Sequence, residues 1–210
     1  MNSATQKITL QGGAGVIEAL LDLPADAPHG TAVIAHPHPL FGGTMTNKVV
    51  QTLARAFVQT GWRAVRFNFR GVGASEGAYD EGHGEAADML QLIAQVAPTG
   101  PLAVAGFSFG AFVASHVVAG LALRPPEKIV LVGTAASRFE VAPLAAELHE
   151  RTLVLHGEQD ETVLLSSVMD WARPQSLPVT VIPGVEHFFH GQLPLLKSLV
   201  VRHLLAPTQA

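Results

Sequence analysis

A serine, a histidine and a carboxylate, far apart in this chain but each in a distinctive setting, could together make an alcohol reactive in water. The serine is Ser108, within Gly106-Phe107-Ser108-Phe109-Gly110, which joins an apolar run at 102–105 to a small-residue helix pattern that starts at Ala111. A G-x-S-x-G segment between strand and helix makes a turn tight enough to hold the hydroxyl clear of the backbone. A Cβ at either glycine would collide with the neighbouring strand or the helix start. Ser108 is therefore a candidate nucleophile for acyl chemistry. The bland alternative, a helix N-cap in a glycine-rich turn, is weakened by what lies downstream.

A serine hydroxyl needs a base within hydrogen-bond reach and a carboxylate to orient that base. In open α/β sheets such groups sit in loops at the carboxyl ends of later strands. After the apolar run 153–155 comes His156-Gly157-Glu158-Gln159-Asp160-Glu161-Thr162-Val163, a strand end, a turn and a helix start. Asp160 competes there with Glu158 and Glu161, and its bland role is to cap the helix that follows. After the run 179–182 comes Pro183-Gly184-Val185-Glu186-His187-Phe188-Phe189-His190, which offers His187 and His190. Ser108, Asp160 and His187 follow one another in the order Ser, Asp, His.

The elements that must position these residues can be read from hydrophobic patterning. Apolar runs at 31–35, 63–67, 102–105, 129–132, 153–155 and 179–182 show little polar alternation, as expected of parallel strands buried on both faces. Helical patterns at about 46–60, 85–97, 109–122, 163–172 and 193–204 alternate with them. Such alternation predicts a doubly wound α/β sheet with helices on both faces. Residues 7–10 and 16–23 read as an antiparallel hairpin that leads into it.

Composition narrows the function classes. A chain of 210 residues, 48% hydrophobic and 14% charged, can bury roughly 70% of its unfolded surface in one core, so a single domain over residues 1–210 is the expectation. A net charge of -4 without a lysine or arginine run argues against nucleic-acid and membrane-surface partners and for a small molecule. With no cysteine, disulfides, thiolate metal sites and a cysteine nucleophile are excluded. Residues 1–19 lack a cationic segment followed by an apolar stretch, and no stretch reaches the roughly 18 apolar residues of a membrane span. A cytoplasmic location is the expectation.

Four segments, taken in order, carry a resemblance to a family. They are His36-Pro37 running into Gly42-Gly43-Thr44-Met45-Thr46-Asn47-Lys48, then Arg66-Phe67-Asn68-Phe69-Arg70, then Gly106 to Gly110, then His187-Phe188-Phe189-His190. Over nearly its whole length the chain resembles the α/β-hydrolase superfamily and, within it, the small bacterial serine hydrolases without a lid. The resemblance implies a mostly parallel eight-stranded sheet and a Ser108, Asp160, His187 triad, and favours Asp160 over its acidic neighbours and His187 over His190. No cofactor and no metal are expected.

An oxyanion hole needs backbone N–H groups aimed at the developing charge. One donor should be Phe109, directly after the nucleophile at a helix start. The other should come from the loop after residue 35, where Pro37 and Pro39 have no N–H, which leaves His38 first and Leu40 second. His36, His38, His187 and His190 also raise a metal site, but no acidic ligand run accompanies them, and His36 is better read as ordering its loop. The glycines at 71, 73 and 77 are spaced wrongly for a dinucleotide loop. Arg70 and Asp88 read as structural, His190 as packing or a supporting hydrogen bond, and Phe107 and Phe109 as either core or acyl-pocket lining. The 18 residues 134–151 have room for one short helix, at 143–150, and no cap domain. The reading is an ester hydrolase acting on a small molecule through an acyl-enzyme in an open cleft. The alternatives are a peptidase, thioesterase or acyltransferase with the same triad, or a non-catalytic binding member of the fold.

Overall fold

The computed structural model describes residues 5–207. Its first two strands, β1 (Thr5–Gly12) and β2 (Gly15–Asp22), form the antiparallel hairpin. They are followed by β3 (Gly30–Ala35), β4 (Trp62–Phe67), β5 (Leu102–Phe107), β6 (Lys128–Val132), β7 (Thr152–Gly157) and β8 (Val179–Ile182). The eight strands form one sheet in the order β1-β2-β4-β3-β5-β6-β7-β8, parallel from β4 to β8, with β2 antiparallel to β4.

Both faces of the central strands are covered, which explains their unbroken apolar sequences. Val33, Val65, Val104 and Leu131 pack on one face against α2 (His83–Val96), α3 (Phe109–Gly120) and α4 (Leu165–Ala172). Ile34, Ala64, Ala105 and Val130 pack on the other against α1 (Lys48–Gln59) and α5 (Leu193–Leu205). No helix among the described residues is long and apolar enough to cross a membrane.

The strand order creates the site. From β3 the chain passes through α1 to β4 on one side, then returns through α2 to β5 on the other side of β3. The loops leaving β3 and β5 therefore diverge above adjacent strands, which opens the crevice where α/β sheets bind ligands.

Helix boundaries depart from the periodicity where side chains compete for backbone groups. α1 begins at Lys48 rather than near 46 because the Asn47 side chain accepts from the N–H groups of Val49 and Val50. α4 begins at Leu165 rather than 163 because Val163 O is taken by His156 Nε2–H (2.9 Å) instead of a helical N–H, while Asp160 Oδ1 closes a separate turn on the N–H groups of Thr162 (2.9 Å) and Val163 (2.7 Å). The short helix expected at 143–150 is instead a 3₁₀ turn at Ala146–Arg151. Its six residues run directly into β7, which favours the tighter i→i+3 closure. The same crossover is tied to α3, where Ser115 Oγ accepts from Ala142 N (3.0 Å) and Phe139 stacks on Phe112 at 4.7 Å.

Candidate active site

Ser108 sits between β5 and α3 with φ 57° and ψ −117°, a conformation that costs an L-residue about 1–3 kcal/mol. Its own N–H donates to Val132 O (2.8 Å), and its carbonyl accepts from Ala111 N and Phe112 N. The flanking glycines permit the turn. A Cβ on Gly106 would lie 2.1 Å from Gly110 O, and one on Gly110 would lie 2.4 Å from Ala35 O and 2.5 Å from His36 O. The second contact brings the start of α3 against the exit of β3.

Asp160 and His187 are brought to this serine by the loops after β7 and β8. His187 Nδ1–H donates to Asp160 Oδ2 at 2.6 Å. That bond fixes the tautomer in which Nε2 is unprotonated, 3.0 Å from Ser108 Oγ and able to accept its proton. All three side chains are buried, with Ser108 retaining 7% exposure. The imidazole lies between the rings of Phe107 (4.9 Å) and Phe188 (5.0 Å). A Cβ on Gly133, at the end of β6, would come within 3.2 Å of His187 Cε1. Asp160 thus combines the two bonds to backbone N–H groups with the bond to His187, while Glu158 turns away to accept from Gly184 N (2.9 Å).

The two residues expected to supply oxyanion donors are neighbours. Phe109 and His38 rings are 4.9 Å apart, and among the described residues neither backbone N–H has an acceptor in the protein. Leu40 N–H, by contrast, donates to His38 Nδ1 at 3.2 Å, which favours His38 as the second donor. The loop is held from below by His36. Its Nδ1–H donates to Pro37 O (2.6 Å), and its Nε2 accepts from Phe69 N (3.0 Å). Burial lowers the His36 pKa to about 4, partly opposed by the bond to Pro37. Both ring nitrogens are engaged, so His36 has no free lone pair for a metal.

The remaining sequence candidates have structural places. Arg70 Nε pairs with Asp88 Oδ2 at 2.8 Å. Phe107 and Phe109 are fully buried. Of the two roles expected of His190 the structure shows the hydrogen bond and not packing: its ring is largely exposed and pairs with Glu186 Oε1 at 3.1 Å, and its N–H donates to the same oxygen at 2.7 Å.

A further buried histidine adjoins Asp160. His156, inside β7, donates Nε2–H to Val163 O at 2.9 Å and lies 3.7 Å from Asp160 Oδ2. Its Nδ1 has no partner among the described residues. Burial pushes its pKa down against the attraction of Asp160. The bond to Val163 O braces the segment whose N–H groups hold Asp160. A histidine in an apolar strand, four residues before the carboxylate, was the available signal.

Known proteins resemble this chain in sequence and fold. The family model described as serine aminopeptidase, S33, matches residues 26–151, which include Ser108 and end before Asp160 and His187. Uncharacterized protein RP471 of Rickettsia prowazekii is 30% identical over 201 residues, covering 87% of this chain and 82% of its own. Among solved structures, XC6422 of Xanthomonas campestris, an α/β serine hydrolase without lid, superimposes with TM-score 0.84 at 33% identity, over 97% of this chain and 95% of its own. An α/β serine hydrolase homologue from Coxiella burnetii gives TM-score 0.81 at 36% identity, over 98% and 100%. The chain belongs to the S33 serine aminopeptidase family of the α/β-hydrolase superfamily and resembles its small lidless members.

Proposed function

We propose that the protein hydrolyses carboxylic esters of small molecules, with Ser108 as nucleophile, His187 as general base and acid, and Asp160 as the group that orients and charge-stabilises the imidazole. The observation that carries the reading is the continuous path from Ser108 Oγ through His187 (3.0 Å) to Asp160 (2.6 Å). As Oγ attacks the carbonyl carbon, its proton moves to His187 Nε2, and the carbonyl oxygen becomes an oxyanion held by Phe109 N–H and His38 N–H. His187 then protonates the leaving oxygen. Water, deprotonated by the same imidazole, releases the acyl group and restores the serine.

A fluorophosphonate probe tests this directly, since only an activated serine labels rapidly. Ser108 is expected to carry the label, and Ser108→Ala to lower kcat on p-nitrophenyl esters by about 10⁶-fold. Retention of most ester turnover in that variant contradicts the reading. The family description supports amide cleavage as a second reading. Aminoacyl p-nitroanilides turned over faster than matched esters would favour it.

A further inference from the structure

The two flanks of Ser108 differ in chemistry, and a carbonyl substrate must span both. Its leaving atom has to receive a proton from His187 Nε2, so the leaving group lies on the His187 side. A cleft of about 600 Å³ on that side is lined by Glu158, Glu161, Glu186, His187, Leu164 and Phe188. Glu186 stays ionised there: burial would raise its pKa, but the N–H groups of His190 and Phe188 and the nearby histidines bring it below the ordinary range. Negative charge on a leaving group would meet these carboxylates at close quarters.

The acyl group points the other way, over the loop that follows β3. Here the His38 ring is surrounded by Phe41 (4.7 Å), Phe109 (4.9 Å), Tyr79 (5.1 Å) and Phe139 (5.8 Å). The outer edge of this group is open, with Phe41 74% exposed. Arg138 stands over the same edge, its guanidinium carbon 6.0 Å from the Phe41 ring centroid. It is close enough that its charge adds to burial in lowering the His38 pKa. Among the described residues Arg138 has no carboxylate within salt-bridge distance. An unpaired planar cation at the rim of an aromatic platform is suited to a carboxylate carried on a flat apolar body, because guanidinium can bind it through two parallel N–H bonds while the rings cover the body.

We propose, resting on the hydrolytic reading above, that Arg138 is a specificity-determining residue. The preferred acyl donors are flat apolar acids bearing a second, free carboxylate that pairs with its guanidinium. The carboxylate faces Arg138 and stays away from the Glu158, Glu161 and Glu186 flank.

The test compares mono-p-nitrophenyl terephthalate with p-nitrophenyl benzoate, two esters with the same ring and leaving group that differ by one carboxylate. Dividing kcat/KM for the first by that for the second, and following this ratio across variants, cancels intrinsic reactivity. Arg138→Gln is expected to lower the ratio about 3- to 10-fold, and Arg138→Glu to lower it further. Arg202→Gln, on α5 across the sheet, serves as the control and leaves it unchanged. Raising ionic strength from ~0.02 to ~0.5 M is expected to shrink the ratio in the unmodified protein and leave Arg138→Gln nearly flat. A ratio that does not change in either Arg138 variant overturns the assignment while leaving the hydrolase intact. Failure of the fluorophosphonate to label Ser108, with neither ester consumed, overturns the hydrolytic reading itself.

Discussion

The half of the site that holds Ser108, the proposed nucleophile, and the half that holds His187, its proposed base, are built by different means. Ser108, Phe109 and His38 lie where the chain leaves β5 for α3 and in the loop after β3, adjacent strands in the middle of the sheet, and what joins these two segments is backbone packing so close that Gly110 has no space for a Cβ. Asp160 and His187 lie on loops leaving β7 and β8 at the sheet's edge. They are joined by side-chain bonds, with His187 on Asp160, Asp160 on Thr162 and Val163 N–H, and His156 on Val163 O. The central half should therefore be vulnerable to changes in the backbone, and the edge half to changes in single polar atoms.

The sharpest break in the edge half is Asp160→Asn. It preserves shape but offers His187 a neutral amide, so the imidazole loses both its fixed tautomer and its charge partner. A fall in kcat of about 10⁴-fold is expected. Glu161→Gln, one residue away, should change kcat far less. Equal losses in steady-state assays of the two variants would mean that the carboxylate has been misassigned.

In the central half the corresponding break is His38→Pro. His38 already has φ −52°, which a proline ring accepts, so the substitution removes the N–H without forcing the chain. A loss of roughly 10²- to 10³-fold in kcat is expected. His38→Ala, which loses the ring and its bond to Leu40 but keeps the N–H, should lose much less. Matching losses would move the second oxyanion donor elsewhere.

This division also governs what could be read before any coordinates. The turn at Ser108 was legible because local sterics fix it: glycines two residues on either side, an apolar strand before and a small-residue helix after. Asp160 and His187 were legible only through chain order and a family pattern, since nothing local separates Asp160 from Glu158 or Glu161. The strands were plain because both faces are buried. The helix starts at 48 and 165 were not, because Asn47 and His156 capture backbone groups that periodicity ignores. Arg138, Tyr79 and Phe139 were not legible for a different reason. They come from two loops, Tyr79 from the one after β4 and the adjacent Arg138 and Phe139 from the one after β6, and only the fold gathers the two around His38.

Acid should affect the central half through His36. With a folded pKa of about 4 and an unfolded value near 6.5, the unfolded chain binds a proton more readily between those limits. Folding stability from this residue is fully present above about pH 6.5 and is lost as the pH falls towards 4, by about 2 kcal/mol between pH 7 and pH 5. Urea unfolding at the two pH values checks this. His36→Gln should have a shallower dependence, though not a flat one, because burial and the charge of Lys128 also hold His203 near 4.

The smallest effect is expected from the edge half's buried brace, and it separates the hydrogen bond from mere filling of space. His156→Leu removes the Nε2–H bond to Val163 O but also removes the unpartnered Nδ1. The cost to folding should therefore be below that of deleting a fully satisfied buried group. What it should lose is the brace on the segment that donates to Asp160, which lowers kcat about tenfold with KM nearly unchanged, as a ~1.4 kcal/mol loss of orientation predicts. Gln carries an amide N–H at nearly the reach of Nε2, so His156→Gln should recover most of that loss. The low-field proton of His187 Nδ1–H, followed by NMR, should shift in the leucine variant and return towards its original position in the glutamine one. Indistinguishable kcat values and proton shifts in the two variants would reduce His156 to core packing, and Asp160 would then be held by its two N–H donors alone.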